Sequence, residues 1–266
     1  MKTIKHKSSV SSNQQNTVNR FDETVENYLQ YRPSYPEEVY TLLSHQFDFS
    51  HEKMIADIGS GTGFLSKLFL DHGHTVYGVE PNQAMRMAAE KYLANYSNFH
   101  SINGLAELTT LQDESVDWVV VGTAFHWFDI KKTKIEFKRI LKSSGFCCVV
   151  WNVRNQKESP LLQEYENLIL NFSNDYKKSR AQEFDQTIVD NFFHPYEMYV
   201  ASFANKQFFN WEGFKGRLLS TSYSLRENDD KYADMINALK KIFDQYQSNG
   251  RVEFLYETKM YYGQLK

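Results

Sequence analysis

The sequence predicts an α/β domain on a doubly wound sheet of seven strands, mostly parallel with an antiparallel last strand, plus a helical cap and an N-terminal helical arm. Three observations predict it. Short apolar runs alternate with helical patterns between residues 53 and 152, the rhythm of parallel strands joined by crossover helices. The first run breaks into a glycine turn, Asp57-Ile-Gly-Ser-Gly-Thr-Gly63, that leads into a helical pattern. The last apolar run, Val252–Gly263, follows a turn at Gly250 and reads as an antiparallel return.

Taken in order, residues 1–18 are polar and predict a disordered tail, and 19–266 form a single domain. Phe21, Val25, Tyr28 and Leu29 recur at helical spacing. Pro33 and Pro36 then force an extended, stiff segment, Tyr31-Arg-Pro-Ser-Tyr-Pro36. A second helix runs from Pro36 to Phe47 on an apolar face of Val39, Leu42 and Leu43. Lys53–Ile58 is the first strand, Phe64–Asp71 a helix, Thr75–Glu80 the second strand and Gln83–Tyr96 a helix. Residues 98–103 form the third strand, and Ser115–Gly122 holds the fourth, whose unbroken apolar run suits a strand covered on both faces. A helix at Ile130–Lys142 and a fifth strand at Phe146–Asn152 follow. The range 155–225 then reads as an inserted cap. It opens with a helix after Pro160, passes a polar, exposed stretch at 177–190 and a strand at 196–209, and reaches a short helix at Trp211–Leu219. Asp229–Gln247 is a longer helix.

Composition narrows the function. A net charge of −3 gives no footprint for nucleic acid. Cys147 and Cys148 are adjacent and flanked by Phe146 and Val149, so they read as core residues in a strand and fit a reducing, cytoplasmic setting. No apolar run reaches the length of a membrane span, and no signal-peptide core precedes the domain. The eight histidines are scattered, without ligand spacing for a metal. The 20 Phe, 17 Tyr and 4 Trp are enough to line an enclosed pocket as well as a core.

The chemistry concentrates at one sheet edge. In a doubly wound sheet the carboxyl ends of neighbouring strands meet at the switch point, so Glu80 is expected beside the glycine turn. A carboxylate there accepts from both hydroxyls of a ribose. The glycines alternate, unlike the G-x-G-x-x-G of a nicotinamide or flavin site, and no G-x-x-x-x-G-K-[ST] phosphate loop occurs.

These pieces resemble a known family. Tyr31–Pro36, Asp57–Gly63, Gly78-Val-Glu-Pro-Asn82, Gly104-Leu-Ala-Glu107 and Ala124-Phe-His-Trp-Phe-Asp129 are similar to class I S-adenosylmethionine-dependent methyltransferases. The similarity lies with their small-molecule branch, the ubiquinone/menaquinone-biosynthesis-like and trans-aconitate-methyltransferase-like proteins, and covers about residues 20–152. It implies a Rossmann-like fold, S-adenosyl-L-methionine as cofactor and a small-molecule acceptor. It implies that Gly59, Ser60, Gly61 and Gly63 cradle the cofactor, that Asp57 orders its amino group and that Glu80 holds its ribose. Pro81, Asn82 and Met85 would flank the adenine, Ala106 and Glu107 would lie along its edge, and Thr123 and Phe125 would close the site near the sulfonium. Tyr28 and Arg32 would come from the arm, with Arg32 on the cofactor carboxylate.

The acceptor side is less determined. His126 is the visible candidate for a general base, set against a structural or cofactor-contacting role. Trp127 reads as pocket wall or core. Trp151 and Arg154 end the fifth strand at the same edge, where Arg154 either binds an anionic acceptor or stays solvated. Tyr223, in Ser220-Thr-Ser-Tyr-Ser224, either points into the pocket or belongs to a helix-end turn. Two alternatives stand beside the main reading: a nucleic-acid or protein methyltransferase, and a non-catalytic cofactor-binding protein. The stretch after the fourth strand, Gly122-Thr-Ala-Phe-His-Trp-Phe128, lacks the Asn/Asp-Pro-Pro-Tyr/Phe of amino-methylating base enzymes.

Overall fold

Side chains alternate across a strand, and the central strands here are apolar on both sides. In the fourth strand Val119 and Val121 enter one core and Trp118 and Val120 the opposite one; in the fifth, Cys147, Val149 and Trp151 face one way and Cys148 and Val150 the other. The two adjacent cysteines therefore sit on opposite faces of the sheet, each buried and free. Two apolar faces need two layers of helix, which gives the sandwich its form.

The structure is a computed structural model that describes residues 25–47, 49–173, 186–221 and 223–266. The tail expected at residues 1–18 lies outside the described residues, as does most of the polar stretch expected at 177–190. The strands are β1 (Met54–Ile58), β2 (Thr75–Val79), β3 (Phe99–Ile102), β4 (Val116–Gly122), β5 (Leu141–Arg154), β6 (Met198–Phe209) and β7 (Val252–Gln264). They form one sheet in the order β3-β2-β1-β4-β5-β7-β6. The β1–β5 ladders are parallel, and β7 runs antiparallel to both β5 and β6. The strand order reverses at β1, so the ends of β1, β2 and β4 open onto one crevice.

The helices are α1 (Val25–Tyr31), α2 (Glu38–Gln46), α3 (Phe64–Leu70), α4 (Gln83–Tyr92), α5 (Ile130–Ile140), α6 (Pro160–Phe172), α7 (Gln186–Phe193), α8 (Trp211–Leu219) and α9 (Tyr232–Tyr246). α2 and α3 cover one face of the sheet through Val39, Leu43, Leu65 and Phe69. α5 and α7 cover the other through Phe137, Ile140, Phe192 and Phe193. A third core joins α6, α8 and α9 to the far ends of β6 and β7 through Tyr165, Phe214, Leu239 and Phe254. No helix among the described residues is long and apolar enough to cross a membrane.

Some elements differ from the sequence pattern for local reasons. α4 stops at Tyr92, not Tyr96, because Leu93 leaves helical geometry there. β5 starts at Leu141, not Phe146, because Leu141 pairs with Val116 as soon as α5 ends. The range expected as a cap, 155–225, divides: α6 and α8 build the third core, whereas α7 joins the sheet core and β6 is the edge strand of the sheet itself. Residues 186–190, expected to be exposed and polar, begin α7, and Val189 among them is fully buried.

The arm docks by close approach. Tyr31 lies so near the backbone of α8 that a Cβ on Gly216 would stand 2.0 Å from its Cε2. We expect Gly216→Ala to lose about 1–3 kcal/mol of stability through overpacking. Thermal denaturation should show the loss, and a Gly216→Ala/Tyr31→Ala double variant should recover part of it. A single variant as stable as wild type would contradict this packing.

Candidate functional site

The site is assembled by one carbonyl. Val79 O, the last of β2, accepts from the N–H groups of Gly59 (2.8 Å) and Ser60 (3.2 Å). This ties the glycine turn to the segment that carries Glu80. The Glu80 N–H donates to Ile102 O at 3.0 Å, which anchors the segment to β3 as well. Gly59, Gly61 and Gly63 all have positive φ, a region that side chains rarely tolerate. At Gly61 the space a Cβ would enter is empty for 4 Å, so the turn presents bare backbone to whatever lies on it.

Glu80 is oriented by two backbone donors. The Gly61 N–H reaches Oε2 at 3.0 Å and the Asn82 N–H reaches Oε1 at 2.8 Å. Each oxygen keeps acceptor capacity, so the carboxylate can still take a pair of hydroxyls. Burial raises its pKa, and the two amides and Arg86 oppose that shift. Asn82 also caps α4, its Oδ1 accepting the Met85 N–H at 2.8 Å. The Pro81 carbonyl accepts from Arg86 Nη1 at 2.8 Å.

Asp57 is fully buried on the α3 side of β1. Its Oδ2 accepts from Ser66 Oγ at 2.7 Å, whereas Oδ1 has no partner. Burial pushes its pKa up to about 7, with help from the nearby Glu80 charge and against the Ser66 hydrogen bonds. A buried carboxylate with one bare oxygen fits an ammonium arriving with a ligand.

A cavity, partly open to solvent, joins the glycine turn and Asp57 to the arm; Glu80, Pro81 and Asn82 stand beside the turn and are not among its lining residues. Of the residues expected from the sequence, Tyr28, Arg32, Asp57, Gly59, Ser60, Gly61 and Thr123 line it. Tyr28 stacks on Phe64, with ring centroids 6.4 Å apart, and Arg32 lies 4.9 Å above the Tyr28 ring. Arg32 donates through Nη2 to Ser220 O at 3.0 Å, and its Nε has no partner. Burial lowers its pKa, and the neighbouring Arg217 lowers it further. Thr123 has φ +54° and its N–H is held by Val150 O at 2.9 Å.

Other expected residues lie elsewhere. Gly63 starts α3 and faces Leu93 rather than the cavity, where a Cβ would stand 2.7 Å from Leu93 Cδ1. Phe125 turns into the sheet core, 4.9 Å between centroids from Phe192. Met85 and Ala106 are buried and do not line the cavity. Glu107 accepts the Asp129 N–H at 2.7 Å, linking the loops after β3 and β4. His126 packs beside Trp127 and Trp151, at centroid distances of 4.4 and 5.0 Å. None of these three rings lines the cavity, and Trp151 belongs to the sheet core. Arg154 is neither freely solvated nor unpaired: Nη2 pairs at 2.9 Å with the buried Glu166, and Nη1 donates to the Tyr223 hydroxyl at 3.3 Å. Tyr223 is thereby engaged outside the cavity lining.

The sequence reading did not assign roles to Tyr35, Asn152, Arg217 or Tyr256, which all line the cavity. Tyr35 stands between the two prolines of the arm, and its hydroxyl is 3.1 Å from Thr123 Oγ1. Its place in the stiff segment was a signal that could have found it. Arg217 and Tyr256 carry no such local signal, since only the packing of α8 and β7 brings them here.

Comparison with known proteins agrees with this geometry. Residues 56–149 match a family described as a methyltransferase domain. An uncharacterized methyltransferase-like protein of Schizosaccharomyces pombe is 30% identical over 152 residues, 54% of this chain and 58% of that protein. An uncharacterized methyltransferase of Mycobacterium bovis is 32% identical over 137 residues, 52% of this chain and 54% of that protein. The chain thus spans about half the length of these curated relatives. Among solved structures, a methyltransferase from Haemonchus contortus in complex with phosphomonomethylethanolamine and S-adenosylhomocysteine superposes with TM-score 0.54. It is 14% identical, over 96% of this chain and 60% of that one. A protein from Anaeromyxobacter dehalogenans, described as a type II methyltransferase candidate, gives TM-score 0.62 at 18% identity, over 88% of this chain and 98% of that one. At these identities the structural likeness speaks for the fold.

The raised pKa of Asp57 has a signed consequence. A carboxyl whose folded pKa lies above its unfolded value, about 3.9, stabilises the fold fully only below that value and loses the contribution as pH rises towards 7. Ligand-free Asp57→Asn should therefore melt at a higher temperature than wild type at pH 8, and the gap should narrow steadily as pH falls through 7 towards about 4. Binding of S-adenosylhomocysteine by wild type should weaken as pH falls below about 7. An Asn variant that is less stable than wild type at pH 8 would contradict the buried, unpaired carboxylate.

Proposed function

We propose that this chain, whose centre is a methyltransferase domain of class I fold, transfers the methyl group of S-adenosylmethionine to a small-molecule acceptor by in-line displacement. The observation that carries the reading is the pairing of a bare-backbone glycine turn with Glu80, whose two oxygens are pre-aimed by the Gly61 and Asn82 amides. A pre-aimed pair of acceptor oxygens of this kind suits the two hydroxyls of a ribose lying on the turn.

The residues present fit the cofactor piece by piece. Glu80 would hold the ribose hydroxyls, Asp57 Oδ1 would take the ammonium and the Arg32 guanidinium the carboxylate. Met85, Pro81 and Asn82 would bound the adenine, backed by Ala106. When bound, the cofactor supplies a methyl group already activated on a sulfonium sulfur. What remains for the protein is alignment of the acceptor and exclusion of water. Tyr28, Tyr35, Phe64 and Tyr256 wall the cavity, and Thr123, Asn152 and Tyr35 offer polar atoms for orienting an acceptor. Burial pushes the Tyr35 hydroxyl far up, so it stays protonated. His126 has no assigned part in proton transfer here, because its ring packs beside Trp127 and Trp151 outside the cavity lining. A small acceptor is favoured over a polymer by the net charge of −3 and by the aromatic enclosure of the cavity.

Calorimetric titration with S-adenosylmethionine should show one site per chain. Glu80→Ala should weaken it at least tenfold, a charge-assisted hydrogen bond being worth about 1.5–3 kcal/mol. Tritiated methyl should pass from the cofactor into low-molecular-weight material of a cell extract. Unchanged affinity in the variant would remove Glu80 from the site, and label found only in macromolecules would overturn the small-molecule acceptor.

A further inference from the structure

Two arginines, Arg32 and Arg217, line the cavity, and a third, Arg154, lies outside its lining; their charges are handled differently. Arg154 is neutralised by Glu166. Arg32 and Arg217 have no carboxylate partner among the described residues. Arg217 is only 2% exposed and lines the cavity. Its Nε donates to the Tyr256 hydroxyl at 2.9 Å and its Nη1 reaches Ser220 Oγ at 3.5 Å, both neutral acceptors.

The guanidinium is held in place by a relay. The Tyr256 hydroxyl donates to Gln207 Oε1 at 3.0 Å, and Gln207 Nε2 donates to Arg32 O at 3.3 Å. The close seat of Tyr31 on Gly216 brings α8 against the arm, so that Arg217 and Arg32 line the same cavity. The two guanidiniums repel each other. The Phe254 and Tyr256 rings, 5.4 and 5.9 Å from the Arg217 guanidinium, and the Tyr28 ring beneath Arg32 offset part of the cost of burying these charges, and an anion offsets it more fully. S-adenosylmethionine brings one carboxylate. One cation is left over.

We propose that Arg217 anchors the acceptor, and that the acceptor is a small organic anion whose carboxylate or phosphate docks on this guanidinium. The proposal rests on the reading of the cavity as an S-adenosylmethionine site, with Arg32 serving the cofactor. It assigns Arg217 to substrate choice and leaves the cofactor to the glycine turn, Asp57, Glu80 and Arg32. The planar fork of an arginine discriminates an anion from its neutral amide or ester, because the uncharged analogue leaves the cation buried and unpaired.

The test separates acceptor from cofactor. A metabolite extract of the source organism is split at pH 8 on a strong anion exchanger into retained and flow-through fractions. Each is offered to the protein with tritiated S-adenosylmethionine. The retained fraction should accept label and the flow-through should not. Arg217→Gln should lower transfer into the retained fraction at least a hundredfold while its affinity for S-adenosylhomocysteine stays within about threefold of wild type, which also shows that it folds. Arg217→Lys should restore part of the transfer. Phosphatase treatment of the retained fraction abolishes acceptance if the anion is a phosphate ester and spares it if it is a carboxylate. Label entering the flow-through alone, or equal transfer by Arg217→Gln, overturns the proposal. So does loss of S-adenosylhomocysteine binding in Arg217→Gln but not in Arg32→Gln. No binding of S-adenosylhomocysteine by wild type would instead withdraw the cofactor reading, and the acceptor assignment with it.

Discussion

The carbonyl of Val79 is the joint on which the site depends. By accepting from both Gly59 and Ser60 it fastens the end of β2 to the turn after β1. That closure places the Glu80 carboxylate under the Gly61 amide and close enough to Asp57 for the two charges to oppose each other. Neither carboxylate would be set this way by its own strand. The parallel register of β1 with β2, Asp57 opposite Gly78 and Ile58 opposite Val79, makes the joint possible.

The joint has an energetic side. Asp57, Arg32 and Arg217 are charged groups placed where water is scarce and without ion-pair partners among the described residues. A fold selected for stability alone would pair or remove them, as it does with Arg154 and Glu166. Strain is added at Thr123, a non-glycine residue with φ +54° at the end of β4. These costs gather around one cavity, which is the pattern of a binding site prepared in advance of its ligands.

Much of the sheet was legible because its determinants are local. Apolar runs and helical repeats mark β1 to β5 within a few residues, and the antiparallel return of β7 is signalled by Gly250. The alternating glycines and Glu80 could be connected from sequence because strands joined by a short helix are neighbours in a doubly wound sheet. Arg217 could not. It meets Arg32 across most of the chain, through a helix contact that needs Gly216 beneath Tyr31. The direction of loop side chains was equally hidden: Phe125 follows β4 as closely as Thr123 does, yet one enters the core and the other the cavity. Arg154 ends the fifth strand at the expected edge, but its partner Glu166 lies on α6, in a region whose packing no sequence period describes.

A crystal structure of the protein with S-adenosylhomocysteine tests the roles of Glu80, Asp57 and the two arginines most directly. The ribose hydroxyls should lie on Glu80, the ammonium on Asp57 Oδ1 and the carboxylate on Arg32, with Arg217 still facing open cavity. A cofactor carboxylate seated on Arg217, or a ligand bound away from the glycine turn, would contradict these roles.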